Sequence, residues 1–384
     1  MLSHASAAVE AQSVVTRTVV ASRLPVRHVV NVALIGASGR IGARLLELIA
    51  CSAAVGSTLR VVAAFNSRQA LASAAGIDAA DAARDLFDTP PADVAARLDV
   101  LSTLPRPLIV VDCTANATIA ARYPGWLADG IDIVTPNKLG PSADRGLALR
   151  IAAIEAKGGA RVHDAATVGA QLPLLSTLRE LHAAGDRVAR FEAVLSGTLS
   201  YVLGRIERGE ALSAAVRGAV AEGYAEPHPA SDLSGEDAAR KLVILLRALG
   251  RDIELADIER VPLVDPVLLA EPDPAALLRG LVAADETWRA RAALAQARRE
   301  RWVYRASFEH DAVAAVDRVR IAPERVLLDH PLAQLAPCEN KLVLHSKFYA
   351  AAPLTISGPG AGIDLTAACV LGDLHAAARR HVRS

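Results

Sequence analysis

A glycine-rich stretch near the N-terminus has the residue types and spacing of a phosphate-binding loop. Its glycines stand three residues apart, as G-x-x-G-x-x-G, one residue different from the usual dinucleotide pattern G-x-G-x-x-G. Glycine lets main-chain N–H groups approach a pyrophosphate, which the positive end of the following helix attracts. We therefore expect this loop to bind a dinucleotide cofactor. The predicted cofactor-binding residues are Gly36, Ser38, Gly39, Arg40, Ile41 and Gly42.

The segment Asn66-Ser67-Arg68 bears on which dinucleotide is bound. It follows the second β-branched run, where an enzyme restricted to NAD usually has Asp or Glu for the ribose 2′-hydroxyl. Arg68 suits a 2′-phosphate instead, so NADP is favoured and NAD remains possible. The alternative is a solvated surface arginine, because only five of the 42 basic residues are lysines and 37 are arginines.

Such a loop requires a strand before it and a helix after it. The apolar run that ends at Gly36 predicts the strand, and residues 43–50 have helical spacing of apolar residues. Further β-branched runs follow at 59–65, 108–112 and 131–134, separated by lengths that fit helices. This alternation predicts an α/β fold with an N-terminal Rossmann-type doubly wound parallel sheet over residues 30–160.

The rest of the chain predicts an α+β substrate-binding and dimerisation domain over residues 161–345. Strands are expected near 191–195, 302–308 and 313–321, and helices near 170–184, 199–222 and 236–249. We expect residues 346–384 to form a C-terminal segment that returns to the cofactor domain.

Composition excludes several classes of protein. Lys and Arg balance Asp and Glu at 42 each, so no net field favours nucleic acid or an anionic membrane. No apolar run reaches 18 residues, and the four cysteines lack C-x-x-C spacing, so we expect neither a membrane span, a zinc site nor a disulfide framework. We therefore expect a cytoplasmic enzyme that acts on a small molecule. Residues 1–29 are interpreted as a flexible leader, with an organellar transit peptide as the alternative.

Several short motifs occur in a fixed order along the chain. They are 112–115 (DCTA), 135–138 (TPNK), 166–170 (ATVGA), 196–200 (SGTLS), 223–227 (GYAEP), 232–241 (DLSGEDAARK) and 358–362 (GPGAG). Together they resemble homoserine dehydrogenase over residues 30–380. The chain looks most like the dehydrogenase half of the bifunctional aspartokinase–homoserine dehydrogenases, without the kinase.

The resemblance implies interconversion of L-homoserine and L-aspartate 4-semialdehyde with NADP(H) or NAD(H), in threonine, methionine and isoleucine biosynthesis. Aldehyde reduction needs a proton donor beside the carbonyl, and an ammonium can serve where a guanidinium cannot. The resemblance places Lys138 and Lys241 at the active site, in a chain where lysine is rare. We expect Lys241 to be the proton donor, with Lys138 assisting and contacting the cofactor. The alternative is that both are ordinary surface lysines.

Three acidic residues are candidate partners for the substrate ammonium: Glu226, Asp232 and Asp237. Glu226 is the first choice, and the resemblance also places Asp237 near the substrate. Two structural alternatives remain for this segment. Ser234-x-x-Asp237 fits a capping box, and Asp237 with Lys241 fits an ordinary i, i+4 helix pair.

Other expected contacts follow from the fold and the resemblance. Thr114 ends the third predicted parallel strand, at the edge where such sheets bind ligands. The resemblance implies further cofactor contacts at Gly223 and Gly362, with a simple tight turn as the alternative at Gly362. It also implies a monovalent cation, sodium, on the backbone carbonyls of Val168, Ala170 and Leu172, and a homodimer formed through the second domain.

The chain departs from the family at several positions besides the glycine loop. Gln171 stands where the family usually has Gly, Ala165 where Glu is frequent, and residues 228–230 read His-Pro-Ala for Asp-Pro-Arg. These departures leave a rival hypothesis of a catalytically silent NADP-binding relative that acts as a sensor or subunit. A second rival is a reductase such as aspartate-semialdehyde dehydrogenase, with Cys113 as nucleophile, although no histidine is recognisable as its base.

Overall fold

The computed structural model describes residues 29–53, 59–91, 93, 97–336 and 338–383. The predicted leader lies outside these residues except for Val29. Within them, none of the helices is both long and apolar enough to cross a membrane.

The first sheet in the described chain has six strands in the order β3-β2-β1-β4-β5-β6, parallel except for β3. Its three central strands are mostly apolar runs, as expected where helices cover both faces. The strands are β1 (Val30–Ile35), β2 (Leu59–Phe65), β3 (Ala70–Ala72), β4 (Leu108–Asp112), β5 (Asp132–Val134) and β6 (Val162–His163). The helices are α1 (Arg40–Ala53), α2 (Ala82–Phe87), α3 (Ala117–Ala120), α4 (Tyr123–Ala128) and α5 (Arg145–Glu155).

The second sheet is mostly antiparallel, in the order β12-β11-β7-β9-β10-β8, and its main core lies between one face and the helices. Its strands are β7 (Val188–Val194), β8 (Glu259–Arg260), β9 (Glu300–Asp311), β10 (Val316–Leu327), β11 (Glu339–Ser346) and β12 (Leu354–Pro359). Its helices are α6 (Leu174–Ala183), α7 (Gly197–Glu207), α8 (Leu212–Ala221), α9 (Ala230–Leu233), α10 (Glu236–Ala248), α11 (Pro266–Leu269), α12 (Pro274–Gly280) and α13 (Asp285–Ala297).

The final helix, α14 (Ile363–Arg383), packs on the first domain. Its buried face, which includes Val370 and Leu374, joins the core formed by α1 and the first sheet. An ion pair between Arg44 Nε and Asp364 Oδ1, 2.7 Å apart, links the starts of α1 and α14.

The predicted fold class is confirmed, and several element boundaries are wrong. The helix expected over 199–222 is two helices, because Gly209 between them has φ +92°. The helix expected from 170 begins at Leu174, and the strand expected at 313–321 runs from Val316 to Leu327. The first sheet extends to His163, past the expected limit at 160. Strand β12 joins the second sheet, so only α14 returns to the cofactor domain.

Candidate active site

The glycine loop joins β1 to α1 with tight backbone packing. The N–H groups of Gly36 and Ala37 both donate to the carbonyl of Phe65, which ties the loop to the end of β2. Gly36 has φ +83°, and a Cβ on Gly42 would lie 2.2 Å from the carbonyl oxygen of Gly36. Both glycines are therefore required by the backbone itself. Ser38, Gly39, Arg40 and Ile41 complete the turn that opens α1, where main-chain N–H groups can receive phosphate.

Thr114 lies directly beside this loop, as predicted from its place after β4. A Cβ on Gly36 would be 3.2 Å from Thr114 Cγ2. The Thr114 N–H and hydroxyl both donate to Asp112 Oδ1, at 2.9 and 2.7 Å. The side chain is thus held at the carboxyl edge of the sheet, next to the proposed pyrophosphate position.

Asp112 also organises the neighbouring loop, which carries Lys138. Its Oδ2 accepts hydrogen bonds from Tyr123 Oη at 2.6 Å and from Asn137 Nδ2 at 2.9 Å. The carboxylate is fully buried and satisfied by donors from three segments. Burial and the adjacent Asp112 carboxylate raise the pKa of Tyr123 well above its usual range, so it stays a donor. The network therefore fixes the residue next to Lys138.

A single carboxylate joins the two predicted lysines. Asp237 Oδ1 lies 3.2 Å from Lys138 Nζ, and Asp237 Oδ2 lies 2.8 Å from Lys241 Nζ. Burial alone would raise the pKa of Asp237, but the ammonium groups of Lys241 and Lys138 outweigh it and lower that pKa. The structure thus brings together a lysine of the cofactor domain and a lysine of the second domain.

Lys241 is the more enclosed of the two lysines, with 13% of its side chain exposed against 33% for Lys138. Its Nζ also donates to the carbonyl of Leu195 at 2.9 Å. A fixed ammonium with limited water access is suited to deliver a proton to a bound carbonyl oxygen.

Asp232 lies in the same region, on α9, within a polar cluster. Its Oδ2 accepts the Glu226 N–H at 3.2 Å, and its Oδ1 is 3.2 Å from Thr198 Oγ1. Thr198 donates its only hydroxyl proton to the carbonyl of Tyr224 at 2.5 Å. Burial and the neighbouring Asp237 raise the pKa of Asp232 to about 6, in spite of the hydrogen bond from the Glu226 N–H.

Of the two structural alternatives for this segment, the capping box is wrong, whereas the i, i+4 helix pair is present. Gly235, with φ +75°, is the residue that precedes α10, and Ser234 Oγ accepts only the Glu236 N–H, so no Ser234–Asp237 capping box forms. The Asp237–Lys241 pair does form, and the additional contact to Lys138 makes it more than a local helix pair.

The remaining predicted residues lie outside the Lys138–Asp237–Lys241 cluster. Glu226 is exposed, with its N–H bound to Asp232, and Gly223 (φ +77°) lies earlier in the same loop after α8. Arg68 is exposed at the end of β2, where its N–H donates to Asn66 Oδ1 at 2.8 Å. Gly362 (φ +138°) begins the turn into α14. No contact joins Gly223 or Gly362 to the glycine loop among the described hydrogen bonds.

The proposed cation turn has an unusual backbone. Gly169 (φ +76°) and Ala170 (φ +52°) are both left-handed, and Val168 and Ala170 are buried. The carbonyl of Leu172 accepts the Leu174 N–H at 2.7 Å. Within the described residues no group of three or more His, Cys, Asp or Glu side chains could hold a metal.

Cys113 does not have the environment of a nucleophile. Burial, with a smaller effect of Asp112, raises the pKa of its thiol far above the usual value, so it stays protonated. Its N–H donates to the carbonyl of Ile35 within the sheet. Cys113 is better described as part of the core.

Sequence reasoning missed several residues at this site. Thr198 belongs to the recognised SGTLS motif but had been assigned no role. Tyr123 lies in no motif, and its role depends on a hydrogen bond to a residue 11 positions away. The bonding partner of Lys241 at Leu195 is a main-chain carbonyl, which no residue type reveals.

A glycine loop on a parallel sheet, together with a second domain whose Lys241 shares a carboxylate with Lys138, defines a two-domain protein of the dinucleotide-binding class. Residues 38–164 match the family described as homoserine dehydrogenase, NAD binding domain, and residues 173–375 match the family homoserine dehydrogenase. The chain belongs to the homoserine dehydrogenase family.

Individual relatives agree with this assignment. The chain is 37% identical over 285 residues to homoserine dehydrogenase of Schizosaccharomyces pombe, covering 73% of this chain and 75% of that one. It is 36% identical over 345 residues to bifunctional aspartokinase/homoserine dehydrogenase 2, chloroplastic, of Zea mays, covering 88% of this chain. It spans only 37% of that bifunctional protein.

Solved structures support the same fold. A protein of unknown function from Candida auris superposes with a TM-score of 0.81 at 31% identity, covering 92% of this chain and 99% of that chain. A hyperthermophilic archaeal homoserine dehydrogenase in complex with NADPH gives a TM-score of 0.69 at 21% identity, covering 91% and 98%. At that identity the second likeness shows the fold alone.

Proposed function

We propose that this protein is a homoserine dehydrogenase that interconverts L-homoserine and L-aspartate 4-semialdehyde in amino-acid biosynthesis. The observation that carries the proposal is the Lys138–Asp237–Lys241 cluster, in which one carboxylate joins a lysine of each domain. The bound nicotinamide cofactor supplies or accepts the hydride. The silent-relative hypothesis is less well supported, because every side chain assigned chemistry is present.

In this mechanism Lys241 donates a proton to the aldehyde oxygen during reduction and removes it from the hydroxyl during oxidation. Asp237 holds both ammonium groups and sets their spacing. Glu226, Asp232 and Asp237 present negative charge to the substrate ammonium. Asp112, through Thr114 and Asn137, aligns the cofactor-side loops.

The direct test is steady-state oxidation of L-homoserine by the purified protein, with NADPH and NADH formation followed separately. We expect saturable turnover that depends on both homoserine and the oxidised cofactor. Measurable NADPH binding without any turnover would instead favour a silent relative, and Gln171 would be the first departure to revert to glycine.

The preference for NADP is proposed to rest on Arg68, which is exposed at the end of β2 and free to reach a 2′-phosphate. Arg68→Ala should lower kcat/KM for NADP about 10- to 100-fold, the loss of one charge-assisted hydrogen bond, and leave NAD unchanged. Arg84→Ala, an exposed arginine on α2 of the same domain, is the matched control. Equal losses with both cofactors would contradict the assignment.

Asp232 predicts a pH-dependent affinity for homoserine. The raised pKa, about 6, means that the folded protein binds this proton more tightly than the unfolded chain, whose aspartates titrate near 3.9. The associated stability is therefore present below about pH 4 and lost as pH rises through about 6. The substrate ammonium favours the ionised carboxylate, so KM should rise up to about tenfold per unit below pH 6.

Asp232→Asn should raise KM and flatten this pH dependence, whereas Asp99→Asn, in an exposed ion pair with Arg122, should not. Initial rates between pH 5 and 8 provide the measurement. A KM profile that keeps its slope in Asp232→Asn would assign the titration to another group.

Two further proposals concern the cation and the assembly. Sodium is proposed on the carbonyls of Val168, Ala170 and Leu172. The left-handed backbone at 169–170 supports this site, and the Leu172 oxygen retains a second lone pair.

A homodimer is proposed to form through the second domain, and the polar outer face of its sheet supports this. There Arg305 bridges Glu192 and Glu324 in a polar surface suited to an interface rim.

A further inference from the structure

A cavity of about 750 Å³ lies between the domains, next to Gly140 and Pro141 in the segment that follows Lys138. One wall is α5 of the cofactor domain, and the opposite wall is the C-terminal half of α10. Pro141 lines it, whereas Lys138, Asp237 and Lys241 do not. Gly140 and Tyr123, which contact each other, also line it, so the cavity is separate from the Lys138–Asp237–Lys241 cluster.

The charges in this cavity are unbalanced. Its lining includes three carboxylates, on Glu155, Asp164 and Asp252, and five guanidinium groups, on Arg145, Arg161, Arg179, Arg247 and Arg251. Arg145 pairs with Asp252, Arg179 with Asp164, and Arg251 with Asp317 outside the lining. An excess of positive charge therefore faces the cavity.

Two of these arginines form no close ion pair among the described residues, although Arg161 acts on Glu155 at longer range. Arg247 is half-buried and uses its guanidinium for carbonyls only, with Pro141 at 2.8 Å and Ile253 at 2.9 and 3.1 Å. Burial lowers its pKa and outweighs the opposing effect of the more distant carboxylates of Glu254, Asp252 and Asp144. Arg161 is exposed and makes no ion pair in the described structure. Together they offer free N–H donors to an anion.

The wall between these cations is apolar. Leu149, Ile151 and Ala152 of α5 face the cavity across from Ile244 and Ala248 of α10. Leu149 is 58% exposed, so its side chain is accessible to a hydrocarbon chain bound in the cavity. A phosphate or other fully hydrated anion would leave this wall uncovered.

We propose that this cavity binds a small aliphatic carboxylate, with the carboxylate on Arg161 and Arg247 and the hydrocarbon chain on the Leu149 wall. This site is separate from homoserine turnover. Direct binding can therefore be measured whether or not the enzyme activity is as proposed.

The test uses 3-methylbutanoate as the probe and isothermal titration calorimetry on the full-length protein. We expect saturable binding with one site per chain, at least tenfold weaker in Arg161→Ala. Arg150→Ala, at an exposed arginine on α5 outside the cavity lining, should bind as the wild type does. No saturable binding, or equal loss in both variants, would overturn the proposal.

A second variant tests the apolar wall. Leu149→Asp puts a negative charge on an exposed position, so it should fold and abolish binding, whereas Leu294→Asp on α13, also exposed, should not. Inorganic phosphate serves as the anion without a hydrocarbon chain, and it should bind at least tenfold more weakly than 3-methylbutanoate. Equal affinity for phosphate would show that the wall contributes nothing and would reject the aliphatic class.

Discussion

Replacing Lys241 with alanine is expected to lower kcat for homoserine oxidation by about 10²- to 10⁴-fold, the usual contribution of a general acid–base. Its ammonium is held by Asp237 and by the Leu195 carbonyl, so alanine removes the proton donor without moving the cofactor loop. Cofactor binding, measured by NADPH fluorescence, should remain within about twofold of the wild type because no contact to the glycine loop is lost. A large loss of kcat with unchanged NADPH affinity would show that Lys241 acts in the chemical step.

Lys241→Arg separates proton transfer from charge. Arginine keeps the positive charge but cannot release a proton in the working range, so this variant should be as inactive as the alanine variant. Lys347→Ala, at an exposed lysine beside Phe348, should have wild-type rates and controls for loss of a lysine in general. Restoration of activity by arginine would show that Lys241 acts through its charge and that another group donates the proton.

The parts of the fold that could be predicted are those in which local sequence and local structure agree. The apolar runs at 59–65 and 108–112 match β2 and β4, because strands buried on both faces are apolar over most of their length. The loop at 36–42 was predictable because its glycines are required by steric contacts within the loop's own seven residues. Lys138 and Lys241 stood out because arginine occupies nearly every other basic position.

The parts that could not be predicted depend on contacts between distant segments. The shared carboxylate of Asp237 requires the two domains to bring residues 138 and 237 together, and neither motif specifies that distance. The role of Asp112 depends on donors at positions 114, 123 and 137. Strands β11 and β12 were missed because their pairing with β7 and with each other defines them better than their composition does.

The bridging role of Asp237 leads to the second large prediction. Asp237→Asn should lower kcat at least about 100-fold, because two ammonium groups would then face each other across a neutral amide and neither would keep its position. Glu236→Gln is the matched control, since Glu236 forms the equivalent i, i+4 pair with Arg240 on the same helix without contacting either lysine. That variant should retain near wild-type turnover.

Stability should distinguish the two variants as well. Because the lysines lower the pKa of Asp237, its ionised form stabilises the fold above the unfolded pKa near 3.9, and this contribution is lost as pH falls through the folded value. Asp237→Asn should therefore lower the free energy of unfolding at pH 7 by about 1–3 kcal/mol, less than for a fully buried pair, because 30% of the side chain is exposed. Urea unfolding of the wild type and of Asp237→Asn at pH 7 and pH 3 measures how much the substitution lowers the free energy of unfolding at each pH. A deficit that is equal at both pH values would mean that the carboxylate acts by shape alone, and the kinetic loss would then need another cause.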